Sequence, residues 1–582
     1  MDDEDRERVG EAVHEVRVDR RGLLSWMPAL TVGVFMLPIG AGLIGTLLPA
    51  FGYLPAIGGS GFGLDPWRRL FAYPGFATSV TVTLVTGLVT SLLAVGIAFG
   101  CCAWAHDRRW FRRIGGWLAP ILSTPHSAIA IGFAFLVAPS GWIARALSPW
   151  LTGWALPPDV ATVGDPRGFA LVFGLLLKEV PYLVLMIVGA LQQVPARQHL
   201  AIAHALGYSR AAAWIKVILP QIYPQIRLPV YAVIAFSLSV VDVALILGPS
   251  NPPPLAVLAV RWFTDADIQY YFPAAAAATL LLLLVIAVIA GWFVLERVAM
   301  AAGRRWIARG GRRGVVAAGA RAAAFGFGGL FALAVFALVG MGLWSFATEW
   351  RFPDAWPSAL SFANWMRRLD GLAHPAWITF VVGVLATAIA LALVLSCLEN
   401  ESRGSRRAGA GALWLLYVPL LVPQVAFLFG GQVLLVRANF DGTIVAVVWA
   451  HLIFVLPYLF LSLADPWRAF DPRYARTAAS LGASHARVFW RIKLPILLRP
   501  VLIACAVAFA VSVGQYLATV FAGNGRVATL TTDAVTLAAG ADRRVIGAYA
   551  LAQALFPLVA YIGAAALPAL LYARRRGIGG VS

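Results

Sequence analysis

Apolar residues along the 582-residue chain fall into long runs with almost no charge, separated by short segments where arginine, proline and glycine collect. A helix of about 20 apolar residues crosses the hydrocarbon core of a bilayer. Twelve runs meet that length: residues 28–50, 78–103, 116–138, 169–192, 229–249, 273–295, 323–345, 376–398, 411–436, 443–464, 500–522 and 546–572. The pattern predicts an all-α polytopic membrane protein with about 12 transmembrane helices. The first run is too long for a signal-peptide core and no small-residue cleavage site follows a short apolar stretch, so it reads as an anchor.

Composition narrows the class. Sixty per cent of residues are apolar and 13% charged, with a mean hydropathy of +0.80. A soluble fold cannot hide that much apolar surface, and a disordered chain has the opposite balance. The net charge of +19 comes almost wholly from arginine, since lysine occurs only at Lys178, Lys216 and Lys493. With the N-terminus inside, the cytoplasmic segments hold 33 Lys/Arg and the outer loops 12. By the positive-inside rule this predicts a multi-pass protein of the bacterial inner membrane with both termini cytoplasmic. The charge is thus assigned to the lipid bilayer as partner, with no nucleic acid, because no soluble basic domain is present. The most basic connector, 296–322, has seven arginines. It is taken as a cytoplasmic linker between two units, giving a tail 1–27, a first repeat 28–295, a second repeat 323–572 and a tail 573–582.

The two units resemble each other. Pro125 and Gly132 match Pro423 and Gly430, and Pro181-Tyr182-Leu183 matches Pro457-Tyr458-Leu459. Leu206-Gly207-Tyr208-Ser209 matches Leu481-Gly482-Ala483-Ser484; Leu219-Pro220 matches Leu494-Pro495; Phe236, Ser239 and Asp242 match Phe509, Ser512 and Gln515. Six spans per copy is an even number, so both copies insert in the same direction. Such parallel repeats are related by an axis along the membrane normal, with the transport path between them.

The loops at about 193–228 and 465–499 join the fourth and fifth spans of each unit. Ala201 to Leu206 and Arg476 to Leu481 favour helix. Gly207 and Gly482 can take the left-handed conformation that ends one, and Ser209 and Ser484 then cap the next. Pro220 and Pro495 are expected to mark where that second helix turns into the membrane. The spacing Gly, nine residues, Ile/Val, one residue, Leu-Pro, seen as Gly207–Val217–Leu219–Pro220 and Gly482–Ile492–Leu494–Pro495, resembles the coupling-loop motif of importer permeases of the ATP-binding-cassette class. Two copies in one chain look like the fused permeases of the iron(III) and thiamine importers. The resemblance implies the type I importer permease fold. It also implies docking of Ala203, Leu206, Gly207, Ser209, Arg210, Leu219 and Pro220, and of Ala478, Leu481, Gly482, Ser484, Leu494 and Pro495, on separate ATPase subunits, expected as a homodimer. An extracytoplasmic substrate-binding protein is the other implied partner. One departure stands out: the glutamate that opens the family motif is Ala201 in one copy and Arg476 in the other.

No lysine follows a glycine, so the chain has no phosphate-binding P-loop and ATP must be bound by another chain. Without a catalytic cluster, the expectation is a transport subunit rather than an enzyme, with no cofactor and no metal. Cys101, Cys102, Cys397 and Cys505 lack metal-ligand spacing and read as small core residues. Ionisable groups in spans are functional candidates. Asp242, with Ser239 and the matching Ser512 and Gln515, is the candidate path lining. Lys178 and Glu179, adjacent on a helix, need separate partners or a place near the outer end with Lys178 snorkelling, and His126 and His451 read as hydrogen-bonded core residues. The solute is expected to be iron(III), thiamine or a polyamine-like cation. A gradient-driven secondary transporter with parallel halves is the alternative, although such a carrier has no use for docking loops.

Overall fold

A computed structural model describes residues 23–310, 316–404 and 409–571. Most of the tail 1–27, the middle of the expected linker and the tail 573–582 lie outside the described residues. Those described are helical, with two isolated β-bridges and no strand. Among the described residues, nine helices are long and apolar enough to cross a membrane, or up to eleven if each of two sharply bent pairs is one span.

Besides two short helices, Asp65–Phe71 and Trp142–Leu147, the first half contains α1 (Met27–Ala50), α2 (Phe76–Ala105), α3 (Ile114–Ser123), α4 (His126–Val137), α5 (Phe169–Gln192), α6 (Ala196–Ala205), α7 (Arg210–Ala213), α8 (Leu219–Ser239), α9 (Asp242–Leu247), α10 (Leu255–Phe263) and α11 (Tyr271–Ala308). The second half repeats this order as α12 (Val316–Phe346), α13 (Ala363–Gly404), α14 (Ala410–Leu421), α15 (Val425–Arg437), α16 (Ile444–Arg468), α17 (Pro472–Ser480), α18 (His485–Val488), α19 (Leu498–Val513), α20 (Leu517–Gly523), α21 (Leu530–Ala538) and α22 (Arg543–Leu571). Within the expected linker, α11 continues to Ala308 and α12 begins at Val316.

The third and fifth spans of each half are broken. Thr124 and Val422, each just before a proline, adopt extended backbone. The proline ring forces that conformation on its predecessor and removes a helical donor. The axis bends by 90° between α14 and α15. The fifth spans break at Val240-Val241 and at Gly514 to Tyr516. The run at 229–249 falls outside the apolar count. Its helix α8 carries Gln221, Gln225 and Arg227 in its first half and stops at Ser239.

Beyond each break the chain is re-anchored in the same way. The first amide of α10, Leu255, donates to Thr83 Oγ1 on α2 at 2.8 Å, and that of α21, Leu530, donates to Thr379 Oγ1 on α13 at 2.9 Å. Each threonine in turn bonds the carbonyl four residues earlier. A helix N-terminus leaves its first amides unpaired, so the two hydroxyls fill the same deficit in both copies.

The first span of each half crosses over. α1 packs on α15, and α12 packs on α4. Glycines permit the approach: a Cβ on Gly430 would lie 2.0 Å from Gly42 O, and one on Gly132 would lie 2.5 Å from Ala337 O. Without a hydrophobic force between helices in lipid, backbone proximity at small residues supplies the van der Waals contact. The matched pair Gly132 and Gly430 therefore does the same job twice, each holding the other half's first helix.

Candidate functional site

Both loops between fourth and fifth spans form a helix, a left-handed glycine and a second helix. Gly207 has φ +82° and Gly482 φ +79°. The Ser209 hydroxyl accepts from Ala212 N, and that of Ser484 from Arg487 N, both at 3.4 Å. Ala203 and Ala478 are buried beneath the bend, while Leu206 and Leu481 project, Leu481 with 82% of its surface exposed. Beside the second loop lies an open groove of about 560 Å³ lined by Asp471, Tyr474, Thr477, Ala478, Leu481 and Ile492.

The prolines do not mark the turn as the sequence suggests. In the first loop α7 runs through a π turn, Trp214–Ile218, into α8 with Pro220 inside. A π turn already shifts the hydrogen-bond register by one residue, which accommodates a missing N–H without a stop. In the second loop the π turn Phe489–Lys493 leads to Leu494–Ile496, and the 76° bend falls at Leu497, two residues past Pro495.

Each loop is tied to its half by carboxylates that lie outside the motif. Arg210 Nη2 of α7 meets Asp107 Oδ2 at 3.0 Å. Asp107 also faces His106 Nε2 at 2.9 Å, and burial holds His106 below the ordinary histidine range despite that carboxylate. Glu296, buried in α11, forms an ion pair with Arg227 Nε at 3.0 Å and accepts hydrogen bonds from Tyr231 OH at 3.1 Å and, on its other oxygen, from Tyr223 OH. In the second half Lys493 Nζ donates to Glu399 Oε2 and Ser402 Oγ, both at 2.9 Å. Arg468 forks onto both oxygens of Glu401 at 2.8 and 3.0 Å. Sequence reasoning missed these partners, although carboxylates at the ends of apolar runs six and eight, inside otherwise basic segments, were visible.

At the centre the breaks of the two halves approach each other: a Cβ on Gly514 would lie 3.8 Å from Pro125 Cβ. Lys178, on the fourth span, donates to Ile121 O at 3.3 Å, to Leu122 O at 3.0 Å and to Thr124 O. It fills the carbonyl deficit at the end of α3. It is buried, so it is not snorkelling to an interface. Glu179 Oε1 stands 3.4 Å from His126 Nε2, and the His126 ring packs on Phe236 at 4.7 Å. His451 is a satisfied core residue, bonded to Ser512 Oγ at 2.8 Å and Thr519 Oγ1 at 2.9 Å.

The candidate path residues therefore separate. Asp242 opens α9, next to the break. Gln515 lies in the matching break, half-buried, with its side-chain carbonyl unpaired. Ser239 bonds its own helix at Ala235 O, 2.7 Å away, and Ser512 belongs to the His451 network. Among the described residues no group of three or more His, Cys, Asp or Glu could hold a metal ion.

The chain is similar to an inner membrane ABC transporter permease, YnjC of Escherichia coli, 32% identical over 498 residues, which is 86% of this chain and 89% of that protein. It also resembles the molybdenum transport system permease ModB of Mycobacterium tuberculosis, 31% identical over 216 residues, 34% of this chain and 78% of the relative. The spermidine/putrescine permease PotC of Haemophilus influenzae is 24% identical over 165 residues, 27% of this chain and 63% of its own. No family model matches.

Proposed function

Since this chain belongs to the ATP-binding-cassette transporter permeases, we propose that it supplies both halves of an importer's path and both docking loops, with a homodimeric ATPase beneath and a substrate-binding protein outside. The observation that carries this is the pair of loops of one geometry, each ending in an exposed leucine over a left-handed glycine. Closure of the ATPase would draw the loops together. The loops lead directly into the fifth spans, so the breaks at Asp242 and Gln515 would move with them. The chain itself carries no ATPase motif and acts as a transport subunit rather than an enzyme. Both termini and both loops would lie in the cytoplasm, where the basic residues concentrate. Reporter fusions at Arg309 and Arg574 should read cytoplasm and one at Trp356 the outside; a cytoplasmic signal at Trp356 overturns this orientation.

The solute in this reading is a small cation, iron(III), thiamine or polyamine-like. Asp242 at the start of α9 and Glu179 beside His126 put two carboxylates near the central breaks, and Coulomb attraction there is strengthened by low dielectric. The spermidine/putrescine relative fits this choice; the molybdenum relative makes an oxyanion the competing solute. Uptake of labelled spermidine, thiamine, ferric iron and molybdate by the assembled complex separates them. With a cation, Asp242→Asn lowers uptake per folded transporter. With molybdate, it leaves uptake unchanged or raises it, and the cation reading fails.

A further inference from the structure

On the same end of the bundle as the coupling loops, α2, α3 and α12 line an open groove of about 310 Å³. Its walls are aromatic. Trp110 and Trp117 lie parallel with ring centroids 6.3 Å apart, and Trp104 faces Phe325 at 6.5 Å. Gly328 leaves its floor open, with nothing within 4 Å of where a Cβ would stand. The groove continues along α12 to Phe331.

The chain flanking these lining residues has the opposite chemistry. Arg108, Arg109, Arg113 and Arg321 are exposed. The Arg108 guanidinium covers the Trp104 ring at 3.5 Å, and Arg321 stands one helical turn from Phe325 on the same face of α12. Asp107 is the one acidic residue between positions 98 and 122, and none lies between 316 and 331. Asp107 is already engaged by Arg210 and His106. Exposed arginines adjoining the lining residues in sequence thus give net positive charge beside an apolar groove. We infer that this groove is a binding site for an anionic diacyl phospholipid, with an acyl chain between the Trp104–Phe325 and Trp110–Trp117 walls and the headgroup phosphate on Arg109, Arg113 and Arg321. Basic pockets between spans at a membrane surface select anionic headgroups in this way, and guanidinium forks match phosphate oxygens. Asp107 links this segment to α7 through Arg210, so a headgroup on Arg109 would sit two residues from the anchor of the first coupling loop.

Assignment to the cytoplasmic leaflet rests on the orientation proposed above. Occupancy does not, because it is read without transport. The full chain is placed in nanodiscs with phosphatidylglycerol or phosphatidylcholine bearing a photoreactive acyl chain, and labelled peptides are located by mass spectrometry. The expected result is labelling at 104–117 and 324–331 by phosphatidylglycerol, several-fold above phosphatidylcholine. Arg109→Gln, Arg113→Gln and Arg321→Gln together should remove that preference, bringing phosphatidylglycerol labelling down several-fold to the phosphatidylcholine level. Gly328→Leu should lower labelling by both lipids by filling the floor. Equal labelling of the native chain by the two lipids, no labelling of these peptides, or an undiminished preference in the triple variant would each overturn the site. A reporter fusion that reverses the orientation would move the leaflet and leave the site intact.

Discussion

The three lysines show what single residues do here. Each is 6% exposed, and none faces bulk solvent. Lys178 caps the broken third span, Lys216 donates to Trp306 O at 3.3 Å and covers its ring at 4.2 Å, and Lys493 meets Glu399 and Ser402. Lys216 is the third residue of its π turn and Lys493 the fifth of its own, at the place Ile218 takes in the first loop, and their anchors differ accordingly. A compact ammonium with three donors suits convergent oxygens, whereas a planar fork does not. Lys178→Met strands carbonyls that a charged donor now satisfies, at a cost of about 1.5–3 kcal/mol. Its thermal midpoint in detergent should fall clearly, and Lys178→Arg should not restore it. Removing one partner of the Glu399–Lys493 pair leaves a charge with little solvent, so Glu399→Gln should destabilise the second loop. Hydrogen exchange over 485–496 should rise while exchange over 210–218 stays as it was.

Among the elements, the coupling loops isolate backbone conformation from packing. A Cβ on Gly482 meets nothing within 4 Å, so Gly482→Val acts only through its left-handed φ, at a cost of at least about 1 kcal/mol. ATPase stimulation and uptake should drop while membrane insertion persists. Gly482→Asn, which tolerates that conformation, should retain most of both. Native-rate transport by the Gly207→Val, Gly482→Val double variant would remove the coupling role. The glycine bends and serine caps were legible in the sequence because they are local: residue type and spacing determine them. Asp242 and Gln515 were legible as polar residues in apolar runs. What covers them was not. The pairing of Lys178 with carbonyls 54 to 57 residues away, or of Glu296 with three side chains of α8, depends on tertiary contacts that no periodicity encodes. Pro220 misled because its effect depends on the hydrogen-bond register of the preceding turn.

At the scale of the molecule, the glycine contacts join the two halves. Gly430→Leu should lower the thermal midpoint far more than Gly431→Leu, since a Cβ at Gly431 meets nothing within 4 Å. Equal effects would show that the interface yields. The crossing has a further consequence in time. Thr46 on α1 accepts from the Gly430 amide 384 residues later in the chain. Synthesis proceeds at about 5–20 residues per second, so α1 enters the bilayer roughly 20–80 seconds before its partner exists. Until then its glycine face is bare, and so is the matching face of α4, which waits for α12. The first half is therefore an assembly intermediate that cannot finish alone, and a nascent chain stalled near residue 310 should be a preferred substrate for membrane quality-control proteases.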